Sequence, residues 1–400
     1  MKNNKSIVIT AVVTFIVTTA FYVTPFGGLL VDLLGAGSAD DNFYSKLNKI
    51  DTVLENYYIN DYDTSKMQDL ALEGYLMGVG DPYTGYISLD NYNAFKENMG
   101  SDYQGIGVSV VNDTDGTIKI ASVIDNSPAK KSGIRVDDNI VAVENQGVTN
   151  ENYMQMINII KGIDAPEGDN DIVITVRRNG ETFDVTLVRE TLHISTVYSK
   201  MLSGNIGYLR ITDFGENTYE EYKTALADLE NNSVKGLIVD LRNNGGGMLT
   251  TVVSIADTLL PEGNILTIKS EKTGMEQSYD SDSAFIDVPV CVIVNNNSAS
   301  ASEVLAGALK DHKRATVVGE KTFGKGVVQS MIEFDDGSAF KVTTSKYYTP
   351  SGECIDGKGI IPDREISLEE EYKHYSVDLI PEDKDVQLDA AISEINKKIK

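Results

Sequence analysis

In Asn297-Ser298-Ala299-Ser300-Ala301-Ser302-Glu303 three hydroxyls recur at every second position, between the apolar run Val290–Val294 and a stretch of good helix formers. A serine at a strand-to-helix turn has an exposed side chain and unpaired helix N–H groups beside it. That arrangement suits acyl transfer, with a hydroxyl as nucleophile and the Ala301 N–H as an oxyanion donor. Asn243-Asn244-Gly245-Gly246-Gly247 makes a second strand-to-helix turn. Gly246 offers a second donor there, because glycine lets a substrate come close to the backbone. The chain contains no Gly-x-Ser-x-Gly motif, so the activating base has to be sought elsewhere. His312 lies twelve residues beyond Ser300. A helix rising ~1.5 Å per residue puts it about 18 Å away, too far for a direct hydrogen bond. A lysine base stays open: Lys325 stands between Gly324 and Gly326, near Phe323, Val327 and Val328, where the pattern reads as a turn into a strand. A free lysine titrates near 10.4, so a base effective near pH 7 needs a fall of about 3 units, or about 4 kcal/mol. Local desolvation must supply that fall, since the field of an acidic chain favours protonated lysine.

The elements that must position these groups are legible as βα units. Gly236–Leu241 reads as a buried strand followed by a helix over Met248–Leu260, and Val290–Val294 reads as another running into a helix over 298–310. Sites in such sheets form in the loops at the carboxyl ends of strands. Cys291 is then a packed core residue. Residues 103–190 have a different texture, with short β-type runs at Gly107–Val111, Ile118–Ile124, Ile140–Val143 and Asp171–Val176, and one helix around Glu151–Ile160. Residues 40–100 read as helical: Phe43, Leu47, Ile50, Leu54 and Tyr57 fall at helical spacing, and Thr64 is placed to cap a second helix. The tail ends in a helix from Asp385 with Leu388, Ala391, Ile392, Ile395 and Ile399 on one face, a stripe for packing or self-association. The expected class is mixed α/β and α+β, multidomain: a β-rich domain, a βα-type core and helical terminal segments. The expected divisions are 1–38, 40–100, 101–190, 191–365 and 366–400.

The 400 residues hold 60 Asp and Glu against 35 Lys and Arg, a formal charge of −25. That balance excludes nucleic acid as a partner, because phosphate contacts draw on Lys and Arg. Two cysteines and three scattered histidines give neither a disulfide scaffold nor a metal cluster. Near the N-terminus, Lys2 and Lys5 precede Ser6–Val31, which carries no charge. Its most apolar part, Ile7–Val23, would rise about 26 Å as a helix, close to a ~30 Å hydrocarbon core. The expectation is a single-pass membrane anchor, N-terminus cytoplasmic and the remainder outside; the rival is a cleaved signal peptide, with small residues at Gly35–Ala39.

Several motifs carry a family resemblance. The Gly105-Ile106-Gly107 loop, the Ser127-Pro128-Ala129 turn and the run Ser132–Ile140 resemble a PDZ domain. There, backbone N–H groups of the glycine loop hold a terminal carboxylate and a strand edge pairs with the peptide behind it. Asp240-Leu241-Arg242-Asn243-Asn244 with its glycines, Ser298–Glu303, Gly319–Gly326, Tyr348–Gly352 and Gly359–Asp363 resemble the carboxyl-terminal processing, or tail-specific, serine proteases. The resemblance spans nearly the whole chain. It implies a serine endopeptidase with a Ser–Lys dyad: Ser300 the nucleophile, Lys325 the general base, Gln329 the residue that orients the lysine, and Gly246 and Ala301 the oxyanion donors. It implies protein or peptide substrates with free C-terminal tails and no metal or organic cofactor; a homo-oligomer through the helical termini is the option that the terminal stripe leaves open. The chain departs from the family at Asn244-Gly245-Gly246-Gly247, where Asn-Pro-Gly-Gly is usual, and at Lys161-Gly162, where bacterial relatives often have Arg-Gly. Some relatives use that arginine to sense bound peptide; Lys161 keeps its charge but not its planar fork.

Two other readings compete. Gly319-x-x-x-x-Gly324-Lys325 is one residue short of a P-loop, but Gly326 stands where Ser or Thr is needed and a strand pattern follows where a helix is required. A non-enzymatic PDZ scaffold for exported C-termini would need no joint presence of Ser300, Lys325 and Gln329.

Overall fold

The computed structural model describes residues 42–99, 102–163, 168–373 and 375–399. The chain divides into two compact units, Met1–Ala71 and Leu72–Lys400. Helix α1 (Phe43–Tyr57) begins at Asn42, whose side chain accepts from Ser45 N, and none of its residues is buried. For α2 (Thr64–Met77) the side-chain cap is Asp63 rather than Thr64: its Oδ1 accepts from Lys66 N at 2.9 Å, and Thr64 is the first helical residue. The helical texture expected up to residue 100 is interrupted by strand β1 (Gly85–Ile87) before α3 (Leu89–Met99).

The β-rich block follows, with β2 (Asp102–Gly105), β3 (Val108–Asn112), β4 (Ile118–Val123), α4 (Pro128–Lys131), β5 (Asn139–Val143), β6 (Gln146–Gly147), α5 (Tyr153–Lys161), β7 (Asp171–Arg178), β8 (Glu181–Val188) and β9 (Glu190–His193). Strands β3-β4-β5-β7-β8 form an antiparallel sheet, with β6 on β5. Alternate residues Ile172, Ile174 and Val176 of β7 turn inward onto Ile118, Ile120, Ile140 and the α5 residues Met156 and Ile160, the period-2 pattern of a sheet with one buried face.

The remainder is β10 (Val197–Leu202), β11 (Ile206–Ile211), α6 (Thr218–Asn231), β12 (Gly236–Asp240), α7 (Leu249–Leu259), β13 (Gly263–Lys269), β14 (Glu276–Ser281), β15 (Val290–Val294), α8 (Ala301–Asp311), β16 (Ala315–Gly319), β17 (Val327–Glu333), β18 (Ala339–Tyr348), β19 (Arg364–Glu365) and α9 (Val386–Asn396). One sheet runs β10-β11-β12-β15-β16-β19, parallel except for β10. Leu237, Val239, Val290, Val292 and Val317 face a core shared with α6, α7 and α8. Ile238, Cys291, Ile293 and Val318 face α9 through Leu388, Ala390, Ala391 and Ile395. Both faces are covered, which is why these strands read as unbroken apolar runs. Cys291 is fully buried, and burial pushes its thiol up to about 12. A second, antiparallel sheet pairs β1, β17 and β13 with β18, and β14 with β13.

Of the two uses open to the stripe on the C-terminal helix, packing is the one observed: Leu388, Ala391 and Ile395 are buried against the sheet, with Ile392 and Ile399 partly buried beside them. One expectation needs correction. The single-pass placement in a cell membrane, with its extracytoplasmic catalytic domain, is not supported: among the described residues no helix is long and apolar enough to cross a membrane. The stretch Ser6–Val31 on which it rested lies outside the described residues.

Helix α9 is tied to the sheet by charge as well as by packing. Arg242, 1% exposed, donates Nη1 and Nη2 to Asp385 at 2.8 and 2.9 Å and Nη2 to Asp240 at 2.6 Å. Burial alone would raise the Asp240 carboxyl, but the Arg242 charge and hydrogen bonds hold it below the usual range. Its contribution to stability is therefore present above the unfolded carboxylate value of about 3.9 and is lost as pH falls through the lower folded value. Removing one partner of such a buried set costs about 3 kcal/mol or more. Asp385→Ala should accordingly lower the melting temperature by ~6 °C or more. A melting temperature within a degree of wild type would show that the cluster stabilises nothing.

Candidate active site

Strands β12, β15 and β16 are neighbours in the sheet, and the three loops after their carboxyl ends carry Gly246, Ser300 and Lys325. That is where an open parallel sheet places a site. The loop after β15 settles which of three hydroxyls is available. Ser298 Oγ donates to Leu241 O at 2.8 Å, and Ser302 Oγ donates to Asn244 O at 2.9 Å. Both are spent on backbone. Ser300 is held at φ 54°, ψ −114°, a strained backbone for a residue with a Cβ. Burial pushes the Tyr347 phenol on β18 up, and the neighbouring Ser300 side chain acts the other way. Ala301 opens α8, so its N–H is one of the first four that no helical carbonyl accepts.

Gly246, at φ +115°, packs directly under this turn: a Cβ there would meet Ser300 Cβ at 2.8 Å and Ala301 N at 3.2 Å. The structure thus brings Gly246, Ser300 and Ala301 together. Yet the Gly246 N–H donates to Asn244 Oδ1 at 2.8 Å, so it meets an oxyanion only by sharing or releasing that bond.

What joins the loops is a carboxylate that the motif reading left without a role. Glu303 is 0% exposed. Its Oε1 accepts from Thr322 Oγ1 at 2.6 Å and Gly324 N at 2.7 Å; its Oε2 accepts from Ser300 N and Lys325 N, both at 2.8 Å. Ser300 and Lys325 therefore hang from one oxygen. Behind them the loop from 351 to 359 leaves no room at Gly326, where a Cβ would lie 2.2 Å from Asp356 N.

Lys325 is half-buried. Burial pushes its ammonium below the ordinary lysine value, the like charge of Lys341 adds to that, and Glu303 opposes it. Its Nζ stands 5.2 Å from the centroid of the Tyr83 ring. Among the described residues no hydrogen bond joins Nζ to Ser300 or to Gln329. Gln329, opposite Thr343 in β17–β18, donates Nε2 to Val327 O at 3.3 Å instead. His312 is at the far end of α8 with Nε2 on Asn264 O at 2.7 Å, and His193 pairs with Glu221 at 2.8 Å. The segment after Lys325 is strand β17, which disposes of the P-loop reading.

In the β-rich block the landmarks meet as well. Gly105 ends β2, and Ile106 O accepts from Ala129 N at 2.9 Å. Gly107 (φ +83°) sits on Ser127, leaving no space for a Cβ. Strand β3, which follows this loop, is at the edge of its sheet. Lys161 is the last residue of α5, and among the described residues its side chain has no hydrogen-bond or ion-pair partner.

A family model described as Peptidase family S41 matches residues 205–366, and one described as PDZ domain matches residues 96–166. The carboxy-terminal processing protease CtpA of Bacillus subtilis is 32% identical over 364 residues, covering 90% of this chain and 77% of that protein. A probable CtpA-like serine protease of Staphylococcus aureus is 33% identical over 375 residues, 93% of this chain and 74% of that protein. Among solved structures, a putative S41 protease from Bacteroides fragilis matches with a TM-score of 0.56 at 16% identity, over 91% of this chain and 99% of that one, a likeness of fold.

Glu303→Gln would set an NH2 group against N–H donors, and each buried group left unsatisfied costs about 1–3 kcal/mol. Amide hydrogen exchange at Ser300, Gly324 and Lys325 should speed up by about tenfold or more in that variant. Unchanged protection at all three would mean that the carboxylate is not what holds the loops.

Proposed function

The chain belongs to peptidase family S41, with a PDZ domain ahead of its protease domain, and on that footing we propose that it cleaves proteins selected by their C-terminal tails, using Ser300 and Lys325. It is a serine-type peptidase, which sets the scaffold reading aside. The observation that carries the assignment of the dyad is the Glu303 carboxylate, on which the amides of Ser300 and Lys325 converge.

In the proposed reaction the substrate tail lies along the free edge of β3, its carboxylate on the N–H groups of Gly105-Ile106-Gly107. An upstream stretch of the same substrate reaches the protease core. Neutral Lys325 takes the Ser300 Oγ proton as Oγ attacks the peptide carbonyl carbon. The Ala301 N–H, with the Gly246 N–H once Asn244 yields it, carries the charge on the carbonyl oxygen. Collapse breaks the C–N bond, the departing amine takes its proton from Lys325, and an ester to Ser300 remains. Water, deprotonated by the same lysine, attacks the ester and frees the enzyme. Gln329 is assigned to orient the lysine, which requires its amide to leave the Val327 carbonyl. Lys161, at the end of α5, is assigned to sense the bound tail. No metal or organic cofactor enters these steps.

The same site accommodates the energetic condition on the base. A chain with charge −25 favours protonated lysine, but the burial of Lys325 and the adjacent Lys341 act locally in the opposite sense. Wild type, Ser300→Ala and Lys325→Ala should be compared on an unfolded protein with an apolar C-terminus. Ser300→Ala should be inactive and Lys325→Ala slower by about 10²–10⁴-fold; full proteolysis by either would remove the dyad. Because the base works unprotonated, wild-type activity should rise with pH, with its midpoint below the ordinary lysine value of about 10.4. Blocking the substrate's C-terminal carboxylate should slow cleavage, and equal rates would reject tail recognition.

A further inference from the structure

Tyr83 belongs to no strand or helix, yet it is held in place from both sides. Asp81 Oδ1 accepts from Tyr83 N at 3.0 Å, and Asp81 Oδ2 accepts from Thr84 Oγ1 at 2.5 Å. Thr84 Oγ1 in turn accepts from Thr343 N of β18 at 3.0 Å. The next three residues pair with β18 in the register Gly85 to Lys341, Tyr86 to Phe340 and Ile87 to Ala339. A turn 242 positions earlier in the chain is thereby fixed onto the protease sheet with its ring against Lys325 Nζ, 5.2 Å from the centroid.

We propose that Tyr83 is a positioning residue that parks the Lys325 ammonium on its ring face, so that the lysine has to leave that face before it can serve Ser300. This rests on Lys325 being the base, as proposed above. An aromatic face attracts the ammonium and does nothing for the neutral amine, so parking and deprotonation compete. The ring is the one side-chain partner that Nζ has among the described residues. The charged groups around the lysine are Lys341 from β18 and Glu303 from α8, while Asp356 from the loop behind it and Asp81 from the turn act on the phenol. Burial, then the charges of Asp356, Glu303 and Asp81, push the Tyr83 phenol up, so it stays neutral and is not itself a rival base. A bound substrate that displaces the ring would free the lysine, which gives the enzyme a resting state without any large domain movement.

The test is the pH dependence of kcat/KM in the full chain for wild type, Tyr83→Leu, Tyr83→Phe, Thr84→Val and Lys325→Ala. Tyr83→Leu removes the face that favours the ammonium, so the rising limb should move to lower pH by about half a unit, a roughly threefold gain in rate on the acid side. Tyr83→Phe keeps the face and should keep the limb where wild type has it. Thr84→Val keeps the ring but loses the anchor to Thr343, and should move the limb the same way by less; it carries the test if Tyr83→Leu does not fold. A limb that is unmoved in Tyr83→Leu, a folded but inactive Tyr83→Leu, or a Tyr83→Phe limb shifted like the leucine variant overturns the proposal. With Tyr83→Leu unfolded, an unmoved Thr84→Val limb does the same. If Lys325→Ala keeps its activity, the base assignment falls and this proposal with it. An inactive Lys325→Ala beside an unmoved Tyr83→Leu overturns this proposal alone.

Discussion

A fully buried carboxylate with no free lone pair organises the protease core. Glu303 accepts four hydrogen bonds, one from a hydroxyl and three from backbone amides, and those donors come from two loops that follow different strands. An ionised carboxylate cannot be buried without such partners. Its demand for donors therefore fixes how the Ser300 turn and the Lys325 loop meet. The residue with the strained backbone, Ser300, is the one whose N–H is turned to that carboxylate. The rest of the sheet serves that junction: β12, β15 and β16 deliver three loops side by side, and α9 is bound to the sheet by Arg242 between Asp240 and Asp385.

The site is assembled but not poised. The Gly246 amide is occupied by Asn244, Gln329 faces the Val327 carbonyl, and Lys325 rests on Tyr83. Each of the three is a single local contact worth little more than one hydrogen bond or one ring face. Substrate binding energy can break such contacts. The position Gly245, where relatives usually have proline, bears on this directly. The Asn244 side chain bonds the amide two residues on, a turn whose middle residue here, Gly245, has no positive φ and has open space where a Cβ would stand.

Much of this was legible in the residues before any coordinates. The two central strands show as unbroken apolar runs, and the landmarks Gly105–Gly107, Ser127–Ala129 and Ser298–Glu303 each stand as a short contiguous motif. The singling out of Ser300 was not legible from chemistry alone, because Ser298 and Ser302 are disqualified only by carbonyls of Leu241 and Asn244, more than fifty positions away. Glu303 looks like an ordinary capping-box acid at helix position three; its further partners are the Thr322 hydroxyl and two backbone amides about twenty positions away, and amides leave no side-chain signature. Tyr83 reaches Lys325 through pairing of a three-residue strand too short to be read by periodicity. Thr64 lost its expected capping role to Asp63, one position earlier, a boundary error within the usual blur of helix ends.

The central claim is that one hydroxyl of three is reactive and that Lys325 makes it so. It is tested most directly by the rate at which a fluorophosphonate probe labels the enzyme as pH is varied, with the labelled residue identified by peptide mapping. The label should fall on Ser300 alone, at a rate that rises with pH, and Lys325→Ala should abolish the rise. Label on Ser298 or Ser302, or a pH profile that is the same without Lys325, would contradict it.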